Sequence, residues 1–150
     1  MTRMTQKMRT RRSAFTLLEI LLVVGLLALL ASFAIPALMQ QSESAKVDMA
    51  KAAIGPNGPI ATAIDLFKFK TGVYPAQLMD LIDKPSDDKV ASKWTGPYLT
   101  DTSGLNDPWG NPYEYEPDGK HNTGKYDMWS KGPDGVDGND DDIPNWKTDK

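Results

Sequence analysis

The first 40 residues constrain the fold more than any other part of the chain. Residues 1–14 carry five basic side chains and no acidic one, and they run directly into an apolar segment that begins at Phe15. From Ile20 to Met39 the chain is almost wholly apolar. As a helix this segment would be about 30 Å long, which is the thickness of the hydrocarbon core of a bilayer. We therefore predict a membrane-spanning helix here, in preference to the buried helix of a soluble core.

One carboxylate, that of Glu19, lies at the start of the apolar segment. A charged side chain in a bilayer costs about 2.5–3.5 kcal/mol on insertion scales, so Glu19 needs a partner. Cleavage between Ala14 and Phe15 would create an α-amino group at Phe15, which can compensate Glu19 in the same chain or in a neighbour. An ordinary secretory signal is disfavoured, because its cleavage site follows the apolar region instead of preceding it.

The charge distribution predicts the orientation of the chain in the membrane and the kind of partner that it can bind. The basic residues before Phe15 should stay in the cytoplasm, which leaves the rest of the chain beyond the membrane. Removal of residues 1–14 would leave 12 basic and 20 acidic residues, a net charge of −8. Nucleic-acid binding is disfavoured, since an acidic protein repels phosphates. The chain has no cysteine, so disulfides and thiolate metal sites are excluded.

The first half of the chain predicts two helices. We expect one helix from about Phe15 to Ile54, kinked or locally unwound at Pro36. Its first half would lie in a membrane, and its second half would pack on a globular domain. The breaker cluster Gly55–Pro59 should end it. Apolar residues at helical spacing then predict a second helix over 60–70.

The second half predicts a small sheet. A short helix over 76–84 and a polar loop over 85–93 should come first. Alternating aromatic and acidic residues predict strands at 113–115 and 126–130, each with one face in the core. A turn at 119–124 would join them. The predicted fold class is therefore α+β, with a long N-terminal helix, a short helix and a small antiparallel sheet.

Catalysis has little support in the sequence. The single histidine, His121, lies in a Gly/Asn/Lys-rich loop and is expected to be solvated. There is no cysteine nucleophile, no phosphate-binding glycine loop and no zinc-ligand spacing. The four tryptophans are expected to anchor the core or turns, in preference to forming a ligand platform; they are Trp94, Trp109, Trp129 and Trp146. We predict a protein that is not an enzyme.

An acidic, glycine-rich run lies near the C-terminus. From Asp134 to Asp142 it holds five aspartates in nine positions. Carboxylates at this density must be solvated or bound to a cation such as Ca²⁺, which takes about six to eight oxygen ligands. The run is not an EF-hand, because counting from Asp137 puts Asp142 where glycine belongs and Thr148 where glutamate belongs. On residue chemistry alone, a solvated loop and a metal site are equally supported.

Four segments together resemble a known family. Residues 11–20 resemble the class III signal of type IV pilins and type II secretion pseudopilins. Residues 60–75 resemble a stretch of the major pseudopilins, and 107–110 (Asp-Pro-Trp-Gly) also match that pattern. Residues 130–146 resemble the calcium loop of the type II secretion major pseudopilin. The resemblance covers most of the chain, with 55–59 and 85–105 fitting least well.

The resemblance implies both processing and a metal site. A membrane aspartyl peptidase would cut before Phe15 and N-methylate it, although the usual residue before the cut is Gly and here it is Ala14. The Ca²⁺ ligands would be the carboxylates of Asp134, Asp141 and Asp142 and the backbone carbonyls of Lys131 and Val136. The calcium would be structural and would tie the loop to the sheet.

The implied function is that of a non-enzymatic major pseudopilin, which assembles into a helical filament that helps to drive protein export. The implied parts are a leader at 1–14, a transmembrane and filament-core helix at 15–39, and a globular domain at 40–150. The protein would cross the bacterial inner membrane once, with the globular domain in the periplasm. Glu19 would pair with the Phe15 amine and set the register of each added subunit.

The implied partners are further copies of the chain, an ATPase-driven inner-membrane assembly platform, a prepilin peptidase, minor pseudopilins and an outer-membrane secretin. Two alternatives stay open. One is a type IV pilus pilin, against which the absence of cysteine speaks, because such pilins often carry a C-terminal disulfide loop. The other is a monomeric, membrane-anchored module that binds calcium or sugar.

Overall fold

A computed structural model describes residues 15–148 of the chain. The elements, in order, are α1 (Leu17–Ile54), α2 (Pro59–Thr71), a 3₁₀ turn (Leu78–Leu81), α3 (Asp88–Ala91), a second 3₁₀ turn (Thr102–Leu105), β1 (Glu114–Glu116), β2 (Asp127–Ser130) and β3 (Ile143–Pro144). This order confirms the predicted α+β fold. The internal contacts divide the chain between Gln40 and Gln41 into two units. The predicted leader, with Ala14, lies outside the described residues.

Helix α1 confirms the predicted long helix. It begins after Thr16, whose hydroxyl and carbonyl oxygens accept hydrogen bonds from the backbone N–H of Glu19 at 3.2 and 3.1 Å. The helix continues through Pro36, so the predicted local unwinding is not observed. Proline removes one backbone hydrogen bond, and the flanking turns hold the helix together. One 18-residue window of this helix has a mean hydropathy of 2.6, and none of that window is buried.

The turn between α1 and α2 depends on glycine. At Gly58 a Cβ atom would lie 2.2 Å from the carbonyl oxygen of Ala53, which no larger residue can tolerate. Helix α2 ends at Gly72, which has a φ of 90° and donates its N–H to the carbonyl oxygen of Lys68 at 2.8 Å. The breaker cluster and the second helix are thus confirmed.

The core of the second unit is formed where α1, α2 and the sheet meet. The second half of α1 contributes two buried residues, and one face of α2 contributes four. The buried cluster consists of Ala50, Ile54, Ile60, Ala63, Ile64, Phe67, Leu78, Leu81, Leu105, Tyr113, Tyr126, Met128 and Ile143. Burial of these side chains stabilises the domain by about 1.5–3 kcal/mol for each large aliphatic or aromatic group.

Two predictions for residues 76–93 need correction. The predicted helix over 76–84 is only a four-residue 3₁₀ turn, whose start is capped by the Asp80 carboxylate through the backbone N–H groups of Ala76 and Gln77. The helix does not extend to 84, because Pro85 disfavours a helical backbone at the residue before it. The predicted loop over 85–93 contains the short helix α3. Asp87 caps α3 by accepting N–H groups of its first turn, which lets a polar segment become helical.

The sheet has the order β1-β2-β3 and is antiparallel throughout. Tyr115 of β1 pairs with Met128 of β2, and Trp129 pairs with Pro144 of β3. The two predicted strands are confirmed, while β3 was not predicted. The predicted alternation is wrong for β2, where Asp127 is buried like its neighbour Met128. Asp127 is buried because the loop before it satisfies its carboxylate, as described below.

Candidate functional site

The turn at 107–110 is anchored by a buried carboxylate. Asp107 is only 5% exposed. Its Oδ1 accepts the backbone N–H groups of Trp109 and Asn111 at 3.0 and 2.9 Å, and its Oδ2 accepts the hydroxyl of Ser130 at 2.6 Å. Ser130 is the last residue of β2 and is fully buried. The turn and the end of β2 are therefore joined through a single side chain.

The same serine holds the base of the acidic loop. Ser130 Oγ accepts the backbone N–H of Gly132 at 3.1 Å. Gly132 has a φ of +66°, and a Cβ atom at this position would lie 2.4 Å from the carbonyl oxygen of Asp141. Only glycine fits this approach, so Gly132 lets the start and the end of the loop come together.

Within the loop, Asn139 connects two of the predicted calcium ligands. The side-chain amide of Asn139 donates to Asp134 Oδ2 at 2.7 Å, and its backbone N–H donates to Asp142 Oδ2 at 3.3 Å. Asp134 Oδ1 accepts the backbone N–H of Val136 at 2.8 Å, and Asp142 Oδ2 also accepts that of Gly138 at 2.8 Å. The fold therefore gathers Asp134 and Asp142 around one asparagine.

The other predicted ligands lie at the edges of this arrangement. Asp141 donates its backbone N–H to Asn139 Oδ1 at 3.2 Å. The Lys131 side chain forms an ion pair with Glu114 of β1, and this hydrogen bond raises the pKa of the lysine.

Asp142 Oδ1 is buried and has no hydrogen-bond partner.

These contacts test whether the loop fits a cation. Within residues 15–148, no group of three or more acidic, His or Cys side chains is close enough to hold a metal ion. The carboxylates alone therefore do not make a site, and the backbone carbonyls of Lys131 and Val136 would be required. Calcium accepts such mixed oxygen ligands. A buried, unpaired carboxylate oxygen such as Asp142 Oδ1 is costly, and a cation would compensate it.

The sequence did not predict the role of Asp127. Its Oδ2 accepts the backbone N–H groups of Lys120 and His121 at 2.7 and 2.8 Å, and its Oδ1 accepts that of Asn122 at 2.9 Å. Burial raises the pKa of Asp127, but the three N–H donors together outweigh burial and hold the pKa below its ordinary value. An aspartate that opens a strand after a polar, glycine-rich loop is the signal from which this role could have been found.

Aromatic side chains flank the acidic loop. The rings of His121 and Trp146 are stacked, with centroids 4.1 Å apart and planes 3° apart, and Trp129 contacts Trp146 edge-on. Trp129 Nε1 donates to Asp137 Oδ1 at 2.7 Å. The expectation for His121 is half right, because its side chain is exposed but is held against Trp146 instead of being freely solvated.

The other two tryptophans anchor turns, as predicted. Trp109 Nε1 donates to Glu43 Oε2 on the second half of α1 at 2.7 Å, and this hydrogen bond is the main cause that lowers the pKa of Glu43. Trp94 Nε1 donates to the carbonyl oxygen of Asp80 at 2.9 Å. Each indole therefore fixes one loop to a helix or a turn.

The predicted assembly residues lie at the start of α1. Glu19 is in its first turn, and Phe15 precedes the helix and is 76% exposed. Between Phe15 and Met39, Glu19 is the only charged residue. The large apolar side chains of this stretch are all between 49% and 78% exposed, on every side of the helix. Such a surface requires lipid or other helices around it.

Comparison with known proteins identifies the family. The family described as type II secretion system (T2SS), protein G, matches residues 37–146. The type II secretion system core protein G of Pseudomonas aeruginosa is 39% identical over 144 residues, which cover 92% of this chain and 97% of that protein. The core protein G of Aeromonas hydrophila is 39% identical over 142 residues, which cover 92% and 94%.

A solved structure shares the fold. The crystal structure of the major pseudopilin from the type 2 secretion system of enterohaemorrhagic Escherichia coli matches with a TM-score of 0.60 and 26% identity. The match covers 73% of this chain and 93% of that chain. By sequence and by fold, the chain therefore belongs to the protein G family of the type II secretion system and is a pseudopilin.

Proposed function

We propose that the chain is the major structural subunit of a type II secretion pseudopilus and polymerises into a helical filament through the first half of α1. The observation that carries this proposal is the apolar surface of residues 15–39, which is exposed on all sides and interrupted by one carboxylate, Glu19. Before assembly this surface would lie in the inner membrane. After assembly it would pack against the same surface of other copies. The role is structural and needs no catalytic group.

Processing would prepare the subunit for assembly. Cleavage between Ala14 and Phe15, followed by N-methylation, would place a positive amine at the start of α1. That amine of one copy or its neighbour would pair with Glu19, because an unpaired charge is costly in an apolar filament core. The basic leader would hold the N-terminus in the cytoplasm and leave the globular unit in the periplasm. The assembly platform, prepilin peptidase, minor pseudopilins and secretin are the partners that this role requires.

Substitution of Glu19 tests the filament proposal. Glu19→Ala should insert into the membrane normally, since it removes a charge, but should abolish filaments seen by electron microscopy. Asp48→Ala, which removes an exposed acid from the second half of α1, is the matched control and should assemble. Normal filaments from Glu19→Ala would contradict the register role. A stable monomer with an uncut leader would favour the membrane-anchored module instead.

Calcium is the second part of the proposal. Asp134, Asp141 and Asp142, with the carbonyls of Lys131 and Val136, would bind one Ca²⁺ and close the acidic loop. The buried, unpaired Asp142 Oδ1 supports a cation here. Because the unfolded chain lacks the site, binding would add to the free energy of unfolding.

Calorimetry on residues 41–150, which form one compact unit, tests this part. We expect one calcium site that is lost in Asp142→Ala and kept in Asp88→Ala, which removes an exposed acid of α3. The melting temperature should be higher in calcium than in chelator. Equal melting temperatures would refute a structural calcium ion and leave a solvated acidic loop.

A further inference from the structure

One uncharged residue of the acidic loop contacts all three aspartates of the proposed calcium site. The side-chain amide of Asn139 donates to Asp134 Oδ2 at 2.7 Å, and its side-chain carbonyl oxygen accepts the backbone N–H of Asp141 at 3.2 Å. The backbone N–H of Asn139 donates to Asp142 Oδ2 at 3.3 Å. Asn139 is not among the proposed ligands, so these contacts give it a different role in the loop.

Asn139 joins parts of the loop that precede and follow it. Asp134 lies five positions before Asn139 in the chain, and Asp142 lies three positions after it. Carboxylates gathered in one loop repel one another, so they stay together only where hydrogen-bond donors or a cation compensate their charge. Asn139 supplies one donor to Asp134 and another to Asp142, and it thereby connects two carboxylates that would otherwise move apart.

These donors do not use all the oxygen atoms of the two carboxylates. Each carboxylate oxygen has two lone pairs. Asp142 Oδ2 uses both, because it accepts the backbone N–H groups of Gly138 and Asn139 at 2.8 and 3.3 Å. Asp142 Oδ1 is buried and has no hydrogen-bond partner among residues 15–148. On Asp134, Oδ1 accepts the N–H of Val136 and Oδ2 accepts the amide of Asn139. The donors therefore fix both side chains and still leave oxygen lone pairs for a cation.

We infer that Asn139 is the positioning residue of the calcium loop, and that it holds Asp134 and Asp142 in place before the ion binds. This inference rests on the proposed calcium site and names what sets its affinity. Ligands that are already ordered lose less conformational freedom when the ion binds, so binding is tighter. Residues that orient the ligands of a metal without touching it typically contribute about 10–100-fold to its affinity.

Calorimetric titration of the full-length chain in detergent with Ca²⁺ tests this role. Asn139→Ala removes both side-chain contacts and should bind calcium about 10–100-fold more weakly than the wild type. The matched control is Asn57→Ala, which removes an exposed asparagine from the turn between α1 and α2 and should bind like the wild type. Equal affinities of Asn139→Ala and the wild type would overturn the inference and leave the calcium site intact. A wild-type chain that binds no calcium would overturn both.

Thermal melting separates positioning from a general effect on stability. In chelator, Asn139→Ala should melt at the wild-type temperature, because Asn139 and Asp134 are both exposed and water can replace the lost hydrogen bond. With calcium near the dissociation constant of the wild type, the rise in melting temperature should be smaller for Asn139→Ala, since the stabilisation follows the affinity. An equal drop in melting temperature in chelator and in calcium would show a merely structural role and overturn the inference.

A near-isosteric variant separates positioning from direct ligation. Asn139→Asp keeps the oxygen that accepts the N–H of Asp141, but it replaces the amide donor to Asp134 with a second oxygen. Two carboxylate oxygens then face each other without a donor between them and repel. The positioning role therefore predicts weaker calcium binding by Asn139→Asp than by the wild type. Binding as tight as that of the wild type, or tighter, would overturn the inference and make residue 139 a ligand.

Discussion

Removal of the Asp107 carboxylate should be the most damaging single change at the base of the acidic loop. Asp107→Ala deletes an acceptor of three hydrogen bonds, from two backbone N–H groups and the hydroxyl of Ser130. Hydrogen bonds to a charged group contribute about 1.5–3 kcal/mol each, and contributions of one network are not additive. The buried Ser130 hydroxyl would also lose its acceptor. We expect a loss of about 3–5 kcal/mol in the free energy of unfolding.

Urea unfolding of residues 41–150, followed by tryptophan fluorescence, measures this loss. The matched control is Asp87→Ala, since Asp87 also accepts two backbone N–H groups but is exposed at the start of α3. Loss of such a cap costs about 1 kcal/mol. Asp107→Asn should fall between the two, because its amide keeps one acceptor oxygen. If Asp107→Ala and Asp87→Ala lose the same free energy, the Asp107–Ser130 link does not hold the domain together.

Two further changes probe the loop and its neighbour. Gly132→Ala should lose about 2–4 kcal/mol, from a positive φ and a clash with the Asp141 carbonyl oxygen, whereas Gly138→Ala, which has a positive φ and open space, should lose about 1 kcal/mol. Equal losses in urea unfolding would exclude the clash. Asp127→Asn should remove part of the acid sensitivity of the domain. The lowered pKa of Asp127 means that its stabilising contribution is present above its ordinary pKa of 3.8 and is lost as the pH falls through the lower value of the folded state. The stability difference between wild type and Asp127→Asn should therefore shrink below about pH 3.8, and a constant difference would contradict the hydrogen-bonded carboxylate.

Local sequence signals were sufficient for the two long helices, α1 and α2, and for the family. A long apolar run after a basic leader predicts a membrane helix without knowledge of the tertiary structure. In a bilayer the backbone hydrogen bonds must form within the spanning segment itself. The glycine–proline cluster at 55–59 and the apolar spacing over 60–70 likewise act within a few residues, and the structure confirms both. The aspartate-rich run is also recognisable from its composition, whereas the calcium ligands within it remain a prediction.

The tertiary structure decided the contacts between distant residues. Asp107 and Ser130 are 23 positions apart, and no local pattern pairs them. Strand β3 has only two residues, and it forms because the edge of β2 provides partners for its backbone hydrogen bonds. Asp127 is buried in a strand only because the loop at 120–122 supplies three N–H donors. The sequence by itself determined α1 and α2, whose backbone hydrogen bonds are local. The tertiary structure decided the burial and the pairing of groups whose partners lie elsewhere in the chain.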